Sequence, residues 1–274
     1  MNQAKLYLRA NNVQRHDAQQ IIQEFSNVFQ WRLDGKDSLL DVGSGSGDVL
    51  MDFLYPVVPK DFKKIVASDI SSKMVRHGKK TYSHIDNVDF KVLDIGTETL
   101  PKEFINEFDH VTSFYCLHWV QNQRQAIENI YQVLKHDGDC LLVFLATNPI
   151  FDIYNIVSLN PKWAPYMKDV TSFISPLHCS KDPETEFSQM LEDAGFVDIS
   201  VESRDKIFAY EGLDNIKQNV RAVNPFIERI PLWLHEEFLD DIVKTSIGLN
   251  LKETNNDEFK LITPYKLIVA YARK

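Results

Sequence analysis

Three of the chain's ten glycines, Gly43, Gly45 and Gly47, stand within five positions, directly after the apolar run Leu39-Leu40-Asp41-Val42. Glycine lets a chain turn sharply and lets backbone amides approach a ligand closely, and open parallel sheets bind ligands at the carboxyl ends of their strands. The full segment reads Asp41-Val42-Gly43-Ser44-Gly45-Ser46-Gly47-Asp48. A dinucleotide fingerprint would need glycine where Asp48 stands, and a carboxylate there would repel a pyrophosphate; the Gly-Lys-Ser/Thr of a phosphate-binding loop is absent as well. Carboxylates on both sides of the turn suit a cationic ligand instead.

S-adenosylmethionine carries both a sulfonium and an ammonium, so Asp41 beside its amino acid moiety would stabilise where it would disfavour a phosphate. Asp69 ends a second apolar run, Val66-Ala67-Ser68-Asp69, and is followed by Ile70. It lies about twenty residues past the glycines, where an acidic side chain accepts bonds from ribose hydroxyls. Taken alone, Asp69 has a lesser alternative reading as a surface acid or as part of a helix start with Ser71. Asp94, with Ile95 beside it, ends a third run. Three acids at successive strand ends form one pattern. A fourth run ends in Ser113-Phe114-Tyr115-Cys116-Leu117-His118-Trp119, which sets an imidazole beside an indole. Trp119 offers one N–H donor, His118 can donate or accept, and Gln14, near the start of the first helix, offers an amide. In isolation Tyr115 and Trp119 read as core aromatics and His118 as a satisfied histidine.

Apolar runs of strand length alternate with helical periodicity and place these residues. The pattern predicts a helix over Val13 to Trp31, then strands at Ser38 to Val42, Lys64 to Asp69, Val88 to Leu93, His110 to Phe114 and Asp139 to Leu145. Helices over Val49 to Tyr55, Ser71 to Tyr82 and Gln123 to Leu134 fall between them. Repeated β-then-α units need parallel strands joined by right-handed crossovers, which predicts an α/β, doubly wound sheet. After Ala146 a helical, aromatic-rich stretch runs to Ile174, and a helix around Glu184 to Ala194 is capped by Gly195. Strands are predicted again at Ile199 to Arg204 and Leu261 to Tyr271, around a helical block from Asn215 to Leu249. The chain thus divides into an N-terminal helical segment (1–37), a ligand-binding α/β core (38–146), a helical cap (147–197), and a part that completes the sheet with a second helical insertion (198–274).

With these motifs the sequence resembles the class I S-adenosylmethionine-dependent methyltransferases. The resemblance covers residues 38 to 145 and includes Leu134-Lys135-His136-Asp137-Gly138-Asp139, similar to that family's Leu-Lys-Pro-Gly-Gly turn but departing from it at His136 and Asp137. It implies a seven-stranded, mostly parallel sheet with its last strand antiparallel. It also implies S-adenosylmethionine as cofactor and S-adenosylhomocysteine as product, with Asp41, Gly43, Ser44, Gly45, Gly47, Asp69 and Ile70 around it and Asp94 and Ile95 meeting the adenine. From Tyr7-to-Asp17 through the cap to the C-terminus, the whole chain is similar to the insect juvenile hormone acid O-methyltransferases, which esterify farnesoic acid and juvenile hormone acids. In that family, a glutamine and a tryptophan matching Gln14 and Trp119 hold the substrate carboxylate. His118 borders the same pocket, Tyr115 sits beside it, and Phe151 and Tyr154 belong to an apolar lining expected also to draw on Phe144, Ile156, Trp163 and Phe173.

A carboxylic acid with a pKa near ~4.3 is already ionised at neutral pH, so its methylation needs no general base. The alternative is a small-molecule O- or N-methyltransferase that uses His118 as base. A cofactor-binding scaffold without catalysis is the alternative from another class. The formal net charge of −9 gives no basic excess for a phosphate backbone, so nucleic acid is not an expected partner. The longest uninterrupted apolar run, Leu141 to Ala146, is far short of the roughly 20 residues of a membrane span, and the opening residues are polar. Three cysteines, Cys116, Cys140 and Cys179, show no metal-site spacing and suit reduced thiols in a cytoplasmic protein. The resemblance also implies a homodimer.

Overall fold

A computed structural model describes residues 12–255 and 258–274, so Tyr7 to Asn11 of the opening stretch lie outside the described residues. Strand β1 (Ser38–Val42) is buried along its whole length, as its apolar sequence requires. It pairs in parallel with β2 (Lys64–Asp69) on one side and β4 (Phe108–Phe114) on the other. Next to β2 lies β3 (Val88–Val92), and next to β4 lies β5 (Leu134–Thr147), both parallel. The chain leaves β1 in opposite directions along the sheet, so a crevice opens at the carboxyl end of β1, where the glycine cluster stands.

The other side of the sheet is built by β6 (Val197–Glu211), β7 (Lys252–Asn255) and β8 (Glu258–Arg273). Strand β8 runs antiparallel between β5 and β6, giving the order β3-β2-β1-β4-β5-β8-β6, with β7 added on β8 as an eighth strand. The two late strands are longer than their apolar cores suggest, because they continue past the sheet as a ribbon of alternating half-buried and exposed residues. One face of that ribbon carries Phe208 and Tyr210, whose rings lie 4.7 Å apart.

Helix α1 (Asn12–Phe25) buries Val13, Asp17, Ala18, Ile21 and Ile22 on one stripe. It stops at Phe25 rather than at Trp31, and a turn carries Phe29 and Trp31 against the His110 ring, at 5.7 and 4.4 Å. His110 is the reason for that path. It lies buried between Asp139 (2.5 Å) and Asp37 (2.9 Å), and the same two carboxylates accept the backbone N–H groups of Gln30 and Arg32. The helix expected over Val49 to Tyr55 is a wide π-type turn at Leu50–Leu54 followed by a 3-10 turn at Tyr55–Val57, where Pro56 ends regular helix. On the same face, α2 (Ser72–Thr81) starts at Ser71, whose Oγ accepts from Met74 N. Helices α3 (Gln123–Val133) and α5 (Pro183–Ala194) cover the opposite face, and Gly195 closes α5 in the left-handed conformation (φ 99°). Ahead of the main run of β5, Asp137 itself takes φ 63°, where the family's turn has glycine, and its N–H bonds to Lys274 O at 3.1 Å.

The cap is a separate packing unit. The expected helical stretch to Ile174 contains one helix, α4 (Pro149–Ser158), followed by short 3-10 turns. The later block splits into α6 (Leu213–Val223) and α7 (His235–Gly248), with Pro225 and Pro231 in the connection. Tyr154, Trp163, Phe226, Phe238 and Ile242 form its own core. No helix among the described residues is long and apolar enough to cross a membrane.

Candidate active site

The glycine turn is tied down from two sides. Ser44 N donates to Ser68 O at 2.8 Å, and Gly45 N donates to Asp69 Oδ2 at 2.9 Å, while the other Asp69 oxygen accepts from Ser71 N at 2.8 Å. Asp69 therefore holds the turn in shape. Gly43, at φ 73°, has no room for a side chain, since a Cβ there would lie 2.3 Å from Cys116 Cβ and Sγ. That close approach seats the turn on the segment that begins with Tyr115.

A cavity of about 470 Å³ opens above the turn, lined by Asp41, Gly43, Ser44, Gly45, Asp69, Ile70, Asp94 and Ile95. Gly47 is the exception among the expected residues. It packs beneath the Phe90 and Tyr82 rings and serves the fold of the turn, away from the cavity. The cap closes the far side with Phe173, expected in the acceptor lining instead, and with Pro225, which no local motif announced. Burial pushes the Asp41 carboxyl up to about 6, against the hydrogen bond donated by Thr112 Oγ1 at 2.7 Å and with Asp69 and Asp48 adding repulsion. Among the described residues no basic group faces Asp41. Asp48, by contrast, pairs with Arg15 at 3.0 Å. A buried acid without a cation, in a cavity lined by further acids, fits a ligand that brings its own positive charge, as S-adenosylmethionine does.

A second, narrower cavity of about 120 Å³ abuts the first, and Tyr115, Trp119 and Val223 line both. Gln14, His118, Phe151 and Tyr154 line the second, so these four meet Tyr115 and Trp119 there. Trp119 ends the 3-10 turn Leu117–Trp119, and its ring lies 4.7 Å from His118 and edge-on to Phe151 at 6.3 Å. Gln14 comes from α1, and its Oε1 is buried with no protein partner. His118 is buried as well, its Nδ1 unpartnered, and burial pushes its pKa down to about 3. It is a neutral imidazole at physiological pH and a weak base there.

Tyr115 contributes its ring and not its hydroxyl. At φ 56° it turns back under the site, and its OH donates to Asp17 Oδ2 at 2.5 Å, as does Tyr265 OH at 2.7 Å; Lys206 Nζ stands 3.1 Å from the other oxygen. Of the expected apolar lining, Phe144 faces the opposite layer against Phe187, Ile156 is exposed, Trp163 sits in the cap core with its N–H on Asp241 at 2.7 Å, and Phe173 lines the first cavity. Their places are taken by Tyr210, Ile216, Val220, Ile242 and Leu261, from α6, α7 and the β6–β8 ribbon. Those residues and Asp17 carry no motif, and only the ribbon's alternation hinted at an inward face.

A family described as methyltransferase domain matches residues 13–201. The Drosophila melanogaster protein named juvenile hormone acid O-methyltransferase is 55% identical over 276 residues, covering 100% of this chain and 93% of that protein. The Bombyx mori protein of the same name is 37% identical over 278 residues, covering 100% and 98%. Among solved structures, the YcgJ protein of Bacillus subtilis superposes with a TM-score of 0.60 over 94% of this chain and 98% of that one, at 16% identity, a likeness of fold alone. Full-length identity of this degree to two proteins of one name, carried on a sheet with the class I strand order, makes the chain a member of the juvenile hormone acid O-methyltransferases within the S-adenosylmethionine-dependent methyltransferases.

Proposed function

We propose that the protein transfers a methyl group to the carboxylate of farnesoic acid or a juvenile hormone acid, giving the methyl ester. The observation that carries this reading is the junction of the two cavities at Tyr115 and Trp119, one lined by acids and the other mostly apolar with neutral hydrogen-bonding groups at the junction. When bound in the larger cavity, S-adenosylmethionine supplies an electrophilic methyl group. Asp41 holds the ammonium, Asp69 the ribose, and Asp94 with Ile95 the adenine, while Gly43, Ser44 and Gly45 leave space for the amino acid moiety.

Gln14 Nε2 and Trp119 Nε1 donate to the acceptor carboxylate and leave one oxygen free to attack. Neutral donors orient the anion without the strong ion pair an arginine would form, so its nucleophilicity is kept. Alignment of this kind supplies up to ~7–11 kcal/mol of a barrier. No proton has to be removed, which accords with the weak basicity of His118; this residue and the Tyr115 ring wall the junction and exclude water. Phe151 and Tyr154 hold the chain.

On this reading residues 1–37 bring Gln14, 38–146 hold the cofactor, and 147–197 with the helices of 198–274 cover the acceptor. We also infer a cytoplasmic homodimer, supported by three unpaired cysteines and by the family resemblance; a mass from light scattering tests the dimer. The deciding experiment is incubation with methyl-labelled S-adenosylmethionine and farnesoic acid. Labelled methyl farnesoate by mass spectrometry, with little product from palmitic acid, is expected. No ester despite measured binding of S-adenosylhomocysteine would move the acceptor to hydroxyls or amines.

A further inference from the structure

An indole donates along one direction only, so the orientation of the Trp119 ring decides whether its N–H reaches an acceptor carboxylate. Three rings set that orientation. His118, at 4.7 Å, and Phe151, edge-on at 6.3 Å, line the acceptor cavity. The third, Phe173, lies edge-on to Trp119 at 6.3 Å and lines the cofactor cavity beside it. It comes from the cap, at the end of the 3-10 turn Val170–Phe173.

A half-buried ring on so short a turn needs anchors to keep one position, and it has two. Gln121, two residues past Trp119, donates from Nε2 to Ser172 O at 3.2 Å and to Ile174 O at 3.1 Å, the carbonyls on either side of Phe173. Arg229, which ends the turn Ile227–Arg229 in the second insertion, lays its guanidinium over the Phe173 ring at 5.3 Å and over Phe226 at 5.4 Å. The same guanidinium forks onto the two oxygens of Asp169 at 2.5 and 3.0 Å, and Asp169 stands directly before the turn that Phe173 closes. Arg229 thus grips both ends of that turn, stacking and forking at once, which an ammonium could not do. Phe226, buried in the cap core, meets Phe173 at 5.1 Å from the same side as the guanidinium. The Arg229–Asp169 pair is partly exposed, where an ion pair adds little to stability, so its effect belongs to geometry.

We propose that Phe173 is a positioning residue for methyl transfer, closing the cofactor cavity against the Trp119 indole and so aiming its N–H, with Arg229 and Gln121 holding the ring in place. The inference rests on the carboxylate-methylation reading. Without the ring the indole gains room to turn on its cofactor side, and a misplacement of about 1 Å can cost on the order of a hundredfold in rate. The cofactor cavity loses part of its wall by the same change.

The test measures kcat and KM for farnesoic acid, S-adenosylhomocysteine affinity by calorimetry, and the urea midpoint. The variants are Phe173→Leu, Phe173→Tyr, Arg229→Met and Trp119→Phe, with the first and third also combined with Trp119→Phe. Phe173→Leu should lose about ten- to fiftyfold in kcat and bind S-adenosylhomocysteine about three- to tenfold more weakly, and Phe173→Tyr, which keeps the ring, should recover most of both. Arg229→Met should lose about three- to tenfold in kcat at an unchanged urea midpoint. In the Trp119→Phe background either change should cost less than about threefold more in kcat, because the N–H that Phe173 aims is already gone. Full additivity with Trp119→Phe, or a lower urea midpoint with kcat unchanged, overturns the proposal and leaves Phe173 a packing role. Failure of the wild type to esterify farnesoic acid, with S-adenosylhomocysteine binding intact, overturns the carboxylate reading itself.

Discussion

Trp119 and Gln14 carry the proposed chemistry through single hydrogen bonds, so their removal should be read in rate rather than in stability. Trp119→Phe keeps the ring that both cavities share and loses the N–H. Its kcat/KM on farnesoic acid should fall roughly ten- to a hundredfold, and turnover equal to the parent would remove Trp119 as a carboxylate donor. His118→Ala should cost less than about tenfold in kcat, because an imidazole with a pKa near 3 does little base work at neutral pH; a loss above about a hundredfold would restore the base role. Asp41 gives a pH signature. Its folded pKa of about 6, raised by burial, lies above the usual carboxylate value, so the protonated form is favoured in the free protein and this group's contribution to stability falls as pH rises from about 4 through 6. Binding of a cation runs the other way. S-adenosylhomocysteine affinity, followed by calorimetry, should weaken as pH drops below about 6, and Asp41→Asn should bind weakly with a flat profile; a wild-type profile flat from pH 5 to 7 would exclude Asp41 as the ammonium's partner.

At the scale of elements, helix α1 connects the two cavities. Within one turn it presents Gln14 to the acceptor cavity, Arg15 to Asp48 and Asp52 beside the glycine turn, and Asp17 to Tyr115, Tyr265 and Lys206. Asp17→Ala would leave the phenols of Tyr115 and Tyr265 without their acceptor, and would take the Asp17 counter-charge from the Lys206 ammonium, which keeps its hydrogen bond to Gln20 Oε1 at 2.8 Å. Urea denaturation should show a loss of about 3 kcal/mol, with the KM for the acid raised; a variant as stable as the parent would mean that α1 is held by its apolar stripe alone. The cap helices α4, α6 and α7 enclose a cavity of only about 120 Å³, below the roughly 300 Å³ usual for ligand pockets. Their position was partly legible in the sequence, as a helical, aromatic-rich stretch after the fifth strand. Their splitting was not, because Pro225 and Pro231 interrupt a pattern that apolar periodicity alone would continue.

For the molecule as a whole, His110 links the N-terminal segment to the middle of the sheet. Burial works against its charge, but the hydrogen-bonded carboxylates of Asp139 and Asp37 outweigh it and push the pKa up to about 9. A histidine raised above its usual value near 6.5 stabilises the fold fully below that value, and the contribution is lost as pH rises through about 9. Unfolding free energy should therefore fall by on the order of 3 kcal/mol between pH 6.5 and 9.5, and His110→Gln should be less stable at pH 6.5 with most of that slope gone. A wild-type stability flat across this interval would show that His110 is neutral in the fold.

The chain's own residues, read in order, determined the parallel half of the sheet, the glycine turn and the acids at three strand ends. Each of these depends on neighbours within a few positions, where periodicity and turn chemistry act. The residue types also pointed to a cationic cofactor, since Asp41 and Asp48 flank the turn in the sequence itself. Only the tertiary structure decided what surrounds the acceptor. The hydrogen bonds of Asp17 to Tyr115 and Tyr265 span 98 and 248 positions, and the wall formed by α6, α7 and the β6–β8 ribbon comes from residues far from the glycine turn. No local pattern encodes such contacts, because they follow from how the elements pack. The same packing moved Gly47 under Phe90, turned the Tyr115 hydroxyl away from the site, and set Tyr154 and Tyr210 along the cavity wall.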